Sequence, residues 1–273
     1  MAVELKVVEE DEEYKMKLEK VREEKKKNKL SFLVKGSDEV FTNTIRRLIA
    51  EEVPVLAIED LEIRDNNSAL YDEMVGLRLG LCPIKTDLKS YDPKDECKCG
   101  GEGCAKCELK ISIKCGRNGY VYCEDAESTD PKCTFAYPKM PIVKLLAKQK
   151  VDINMTAVMG RGKNHVKWSP GLAFYKKEPS IKIGAVKDAQ LIADSCAAKV
   201  FDVKAGKLSI NKDNLYDCLL CDKCVELDKA ISLEETGNYL FNLESWGQLN
   251  CKEILIKAAD ILNNKIVELE KQI

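Results

Sequence analysis

Three cysteines at positions 218, 221 and 224 constrain this chain more than any other feature. They lie in Asp217-Cys218-Leu219-Leu220-Cys221-Asp222-Lys223-Cys224, a C-x2-C-x2-C run. That spacing lets three thiolates wrap one corner of an iron–sulfur cluster. Such a run normally closes with a cysteine four residues on, followed by proline; here that position is Asp228. The run therefore does not serve a neighbouring cluster. One cluster is expected, with its fourth ligand elsewhere.

Cys196 is the candidate for that ligand. In two-cluster ferredoxins the cysteine runs cross over, so the fourth cysteine of one run ligates the other cluster. If Cys196 ends an eroded first run, its other positions fall at Val186, Ala189 and Ile192, none of which is a ligand. This is the pattern of a ferredoxin-like unit that kept one cluster and lost the other. Buried thiols or a zinc site are the alternatives, although zinc knuckles rarely use three cysteines at this double spacing.

A second group, Cys97, Cys99, Cys104 and Cys107, reads C-x-C-x4-C-x2-C and contains Gly100, Gly101 and Gly103. The glycines let the backbone turn tightly enough for four sulfurs to meet on one ion. Tetrahedral zinc is the natural occupant; an empty reduced loop and a second iron–sulfur cluster are the alternatives. Cys82, Cys115, Cys123 and Cys133 could substitute as ligands.

The chain begins Met1-Ala2-Val3-Glu4-Leu5-Lys6, which is no apolar signal segment, and no stretch approaches the roughly 20 apolar residues of a membrane span. Thirteen cysteines is an odd number, and their spacings suit metals better than a secreted disulfide framework. The cytoplasm is the expected compartment. A length of 273 residues predicts two or three modules. The 44 basic and 46 acidic residues nearly cancel, leaving no overall pull toward nucleic acid. Lys25, Lys26, Lys27 and Lys29 follow Glu19, Glu23 and Glu24, which predicts a solvated turn.

Periodicity predicts an α+β chain. Val3, Leu5 and Val7 alternate with charged residues, and Lys29 to Lys35 holds an apolar run. Gly36-Ser37-Asp38-Glu39 is a helix start, with Phe41, Ile45, Leu48, Ile49 and Val53 at helical spacing before Pro54. The middle region reads mostly as strands: Leu109, Ile111, Ile113 and Cys115 alternate with polar residues, as do Val151, Ile153, Met155 and Ala157. A strand from Tyr239 to Leu243 leads to a C-terminal helix about 30 Å long. Its stripe is Leu255, Ala258, Leu262, Ile266, Leu269 and Ile273. That stripe packs either on the chain's own sheet or on a partner helix. No substrate chemistry is visible. His165 is the one histidine; there is no complete dinucleotide fingerprint, P-loop, G-x-S-x-G elbow or two-metal aspartate cluster. No catalytic residue is expected.

Several segments together resemble one family. They are Asn43-Thr44-Ile45-Arg46-Arg47-Leu48-Ile49-Ala50-Glu51-Glu52-Val53-Pro54-Val55-Leu56-Ala57-Ile58, Asp72-Glu73-Met74-Val75-Gly76-Leu77-Arg78-Leu79-Gly80-Leu81-Cys82-Pro83-Ile84, His165-Val166-Lys167-Trp168-Ser169-Pro170 and Glu244-Ser245-Trp246-Gly247. With the four-cysteine loop and the cluster run, they resemble the D-subunit family of archaeal DNA-directed RNA polymerase. That family is the counterpart of the bacterial alpha subunit and of the third-largest subunit of eukaryotic polymerase II. Departures are small: Leu77 stands where relatives often carry His, and Ala197 follows Cys196 where ferredoxins prefer Pro.

The resemblance implies an assembly platform that heterodimerises with an L subunit and recruits an N subunit and the large catalytic subunits, meeting DNA only through the complex. It implies a discontinuous alpha-like dimerisation domain over 1–48 and 231–273. An inserted mainly-β domain with the cysteine loop follows over 49–176, and a ferredoxin-like iron–sulfur domain over 177–230. The partner contacts would come from Phe41, Ile45, Arg46, Arg47, Leu48 and Ile49 on the first helix and Leu255, Leu262, Ile266 and Leu269 on the last. An obligate heterodimer of this kind buries over ~2,000 Å². The implied cofactors are one [4Fe–4S] or [3Fe–4S] cluster on Cys196, Cys218, Cys221 and Cys224, and one zinc on Cys97, Cys99, Cys104 and Cys107. The competing reading is a stand-alone ferredoxin-like redox protein or iron–sulfur enzyme component, which accounts for 177–230 and leaves the other motifs unexplained.

Overall fold

The computed structural model describes residues 16–273. The strand expected at Val3, Leu5 and Val7 lies outside the described residues. In chain order the elements are β1 (Lys17–Glu24), β2 (Lys29–Lys35), α1 (Glu39–Glu51), β3 (Val55–Asn66), α2 (Asp72–Leu81), β4 (Glu108–Cys115) and β5 (Gly119–Tyr122). Then come β6 (Ala126–Ser128), β7 (Pro141–Leu145), β8 (Val151–Gly160), β9 (Gly171–Lys177), β10 (Ser180–Ile183), α3 (Ala189–Ser195), β11 (Phe201–Lys204) and β12 (Lys207–Ile210). The last are α4 (Lys223–Leu227), β13 (Ile231–Glu234), β14 (Tyr239–Ser245) and α5 (Cys251–Glu270).

Local chemistry explains many of these boundaries. The lysine cluster forms a single 3-10 turn, Lys25–Lys27, closed by Asn28 in the left-handed region at φ 52°. Asp38 starts α1 by accepting the Phe41 N–H at 2.7 Å, the role of an N-cap side chain. Asn250 starts α5 with a reciprocal pair: its side chain accepts the Glu253 N–H, and Glu253 accepts the Asn250 N–H.

Two compact units account for the chain. One comprises Met1–Glu23, Ser31–Asn43 and Phe174–Asn242; the other comprises Glu24–Leu30, Thr44–Ala173 and Leu243–Ile273.

In the larger unit, β3, β8, β4 and β6 form a four-stranded sheet in that order, with antiparallel neighbours. The alternation in the sequence becomes register: Ile113 faces Ile153 across β4–β8, and Ile63 faces Ile153 across β3–β8. Leu109, Ile111, Ile113, Ile153 and Met155 point into one core, which α2 covers with Val75 and Leu79. The region is thus not only strands. Helix α2 shows no clean period because it is apolar on both sides: Val75 and Leu79 are buried, while Met74, Leu77 and Leu81 are exposed.

Strands β1, β2, β14 and β9 form a four-stranded sheet in that order, and in the smaller unit Phe32 stacks on Phe241 at 5.1 Å. Residues 180–234 follow the order β-α-β-β-α-β. There β10 pairs antiparallel with β13, and β11 pairs antiparallel with β12. Ile181, Ile192, Val200, Phe201 and Ile231 make a small core of their own.

The residues of the two expected contact stripes differ in exposure. On α5 the buried residues are Cys251, Ile254 and Ala258, of which Ala258 belongs to the expected stripe. Leu255 and Leu262 are half-buried, whereas Ile266, Leu269 and Ile273 are 47%, 57% and 99% exposed, and every residue from 263 to 273 is exposed. On α1, Ile45, Leu48 and Ile49 retain only 8%, 7% and 0% of their surface. They are this chain's own core, leaving almost nothing for a partner to cover. Phe41 and Arg46 are half-buried and Arg47 is exposed.

Candidate metal centres

The loop between α2 and β4 brings Cys97, Cys99, Cys104 and Cys107 together, with all four sulfurs within 4.8 Å of one another. Four contacts define the shape. Cys97 and Cys104 lie 3.6 Å apart, Cys97 and Cys99 3.4 Å, Cys99 and Cys107 3.6 Å, and Cys104 and Cys107 3.7 Å. A tetrahedral ion with metal–sulfur bonds of about 2.3 Å has edges of about 3.8 Å, so the donor set fits one metal ion. Two backbone groups already point at the sulfurs: Cys104 N–H donates to Cys107 Sγ at 3.2 Å, and Lys106 N–H donates to Cys104 Sγ at 3.4 Å. Such donors orient and stabilise metal-bound thiolates.

The loop depends on its glycines and its flanks. Gly103 has φ +98°, and a Cβ there would lie 2.7 Å from a Glu108 carboxylate oxygen. That carboxylate, at the start of β4, is held by Lys94 and Lys110, each at 2.8 Å. Arg161 pairs with Glu96 beside the first ligand. The thiols divide their protons unevenly. Hydrogen bonds from the Cys97 thiol and from the Gly103 and Gly101 amides hold Cys99 down to about 6, while burial pushes Cys107 up to about 12. A divalent cation held there would replace those protons, with all four cysteines as thiolates.

The other cysteines of this unit do not substitute. Cys82, Cys123 and Cys133 belong to the hydrophobic core, where Cys82 and Cys123 touch at 3.7 Å, and Cys115 packs against its edge.

The second set is arranged differently. Cys196, Cys218, Cys221 and Cys224 line one pocket, walled by Ile181, Val200, Phe201 and Leu233. Among the described residues, only the 97–107 set brings its ligand atoms within 4.8 Å of one another. Leu220 and Asp222, each between two cysteines of the run, take left-handed φ of 52° and 57°. A bulky residue there is an outlier, and such strain concentrates at ligand-holding sites. Alternation of this kind curls the backbone so that its N–H groups form an anion-binding concavity, as at many iron–sulfur sites. The Val200 N–H donates to Cys196 Sγ at 3.5 Å, and Cys196, Cys218 and Cys224 all pack against the small core. Cys221 is exposed.

Sequence reading missed the groups that hold these sites. Lys94, Lys110 and Arg161 act on the first loop through charge pairs that carry no motif. His165 opens a 3-10 turn: its Nδ1 accepts the Lys167 N–H, and Trp168 beside it is buried.

A family model described as the RNA polymerase Rpb3/RpoA insert domain matches residues 61–171, which span the antiparallel sheet, α2 and the cysteine loop. Three curated relatives extend the likeness to most of the chain, each named DNA-directed RNA polymerase subunit Rpo3. That of Methanosarcina mazei is 37% identical over 87% of this chain and 91% of its own length. That of Archaeoglobus fulgidus is 34% identical over 91% and 95%, and that of Thermococcus kodakarensis is 31% identical over 89% and 92%. The chain belongs to the Rpo3 family of DNA-directed RNA polymerase subunits. A stand-alone redox protein would not share that likeness outside its cluster segment. Among the described residues, no helix is long and apolar enough to cross a membrane.

Proposed function

We propose that this chain is the non-catalytic platform on which an RNA polymerase is assembled, pairing with a small L-type subunit and then binding an N-type subunit and the large catalytic chains. Likeness to Rpo3 subunits along nearly the whole chain carries the reading. The exposed apolar end of α5 supplies a surface for the first partner: Ile266, Val267 and Leu269 are each close to half exposed or more. A helix face of this kind buries well only against another chain. The dimerisation domain is assigned to 1–48 with 231–273 and the inserted domain to 49–176.

Residues 177–230 are assigned as a ferredoxin-like domain holding one iron–sulfur cluster on Cys196, Cys218, Cys221 and Cys224. Its β-α-β-β-α-β order, the cysteine-lined pocket and the left-handed residues in the run support this. When bound, the cluster would cross-link a domain whose own core has five buried apolar residues. Its work is structural or regulatory. Zinc is assigned to the 97–107 loop.

Reconstitution of wild type and Cys221→Ser with the full subunit set tests the whole reading. The variant should lack iron and sulfide, keep its zinc and its L-type partner, and assemble poorly with the large chains. Wild type that forms no complex with any polymerase chain would reject the platform role. Stable, active polymerase built on the cluster-free variant would reject the cluster's part in it.

A further inference from the structure

Lys176, near the end of β9, is a lysine whose amine is hydrogen-bonded to backbone. Its Nζ donates to the Tyr216 carbonyl at 2.7 Å and to the Cys218 carbonyl at 2.6 Å. These carbonyls bracket Asp217, the last residue of the 3-10 turn Leu215–Asp217, and that turn leads directly into Cys218. The lengths lie at the short end for nitrogen–oxygen hydrogen bonds, as expected when the donor is charged.

The arrangement has a cost and a consequence. The amine is partly withdrawn from water, and a withdrawn charge is expensive unless it is well paired. Both of its acceptors are neutral, so its positive charge is not cancelled by them. The nearby Asp217 carboxylate is engaged by Arg22 of β1 at 3.7 Å, and Arg22 also donates to the Asp213 carbonyl at 3.3 Å. A fixed cation therefore sits directly behind the first cysteine of the run. Charge and hydrogen bonding around a cluster set its reduction potential, and groups that orient its ligands set how firmly it is held.

We propose that Lys176 is a positioning residue for the iron–sulfur cluster: it clamps the Tyr216 and Cys218 carbonyls so that Cys218 enters the pocket ready to ligate, and its positive charge favours the reduced cluster. This rests on the cluster assignment made above.

The test uses the full chain, purified anaerobically and loaded with ferrous iron and sulfide, as wild type, Lys176→Arg, Lys176→Gln and Lys176→Met. Three quantities are read: iron and sulfide content, the rate at which a chelator strips iron, and the midpoint potential from an optical redox titration. Lys176→Met should lose iron about 10-fold faster or more and titrate at a more negative potential. Lys176→Gln, which keeps a donor but no charge, should hold its cluster better than Lys176→Met yet show the same direction of potential shift. Lys176→Arg should restore wild-type behaviour in both. Wild-type stripping rate and potential in Lys176→Met overturn the proposal. If Lys176→Met does not fold, an unshifted potential in Lys176→Gln overturns it instead. Wild type that takes up no iron or sulfide overturns the cluster assignment itself, and the role of Lys176 with it.

Discussion

Lys265 of α5 donates to a Glu52 carboxylate oxygen at 2.9 Å, and Lys163 closes on the same carboxylate at 3.4 Å. One acidic side chain just past α1 thereby ties down a loop and the C-terminal helix at the point where that helix becomes fully exposed. Burial alone would raise the Glu52 pKa, but the hydrogen bond from Lys265 and the charges of both lysines outweigh it and lower the pKa. A carboxylate depressed in this way stabilises the fold above its unfolded value of about 4.3, and the contribution fades as pH falls through the lower folded value. Glu52→Gln should cost about 1 kcal/mol near neutral pH, given two half-exposed partners. Thermal unfolding followed from pH 7 to pH 3 should show a shallower acid decline in the variant than in wild type. Parallel curves would mean that the pair contributes nothing.

The 97–107 loop should need its metal. Replacing Cys104 and Cys107 by Ser should remove one zinc per chain by elemental analysis and leave iron unchanged. Amide exchange across the loop should rise sharply, because the loop has charge pairs at its ends and little apolar core within it. Carefully purified wild type without zinc would refute the assignment.

Two helices should respond in opposite ways to a new charge. Ile45→Asp places a carboxylate in the chain's own core and should cost several kcal/mol of stability before any partner is added. Ile266→Asp with Leu269→Asp alters exposed positions, so the isolated chain should melt as wild type does. Binding to the L-type subunit on size exclusion should nevertheless be lost. Normal heterodimer from the second variant would move the interface off α5.

Gly162 is confined by backbone rather than by a nucleotide. A Cβ at that position would lie 2.0 Å from the Ala50 carbonyl oxygen. Neither main chain can yield cheaply, so Gly162→Ala should destabilise by about 2 kcal/mol, read as a lower denaturant midpoint with unchanged slope. The Gly160-x-Gly162 pair, which looks like a fragment of a dinucleotide motif, is here a place where chains meet closely: at Gly160 the same atom would strike the Trp168 ring at 2.4 Å.

What the sequence determined by itself is local. Alternating Leu109, Ile111 and Ile113 fix a strand with one buried face, because side chains in a pleated strand alternate sides. Asp38 marks a helix start because its side chain satisfies an amide the helix leaves open. The C-x-C-x4-C-x2-C spacing needs only glycine turns to bring four sulfurs together, and it does so within a stretch of eleven residues, 97–107. The same short-range signals carried the family likeness.

Tertiary structure decided the rest. Periodicity marked α1 and α5 as amphipathic, but it could not say whether Ile49 or Ile266 would find its cover within the chain, and they differ: 0% against 47% exposed. Helix α2 stayed hidden because its outer face is apolar too. Cys196 meets the pocket of Cys218, Cys221 and Cys224, and Lys176 reaches the Cys218 carbonyl, only because β-pairing and a small core bring distant segments together. Spacing along the backbone encodes what one turn can close; contacts across tens of residues depend on the packing of everything between them.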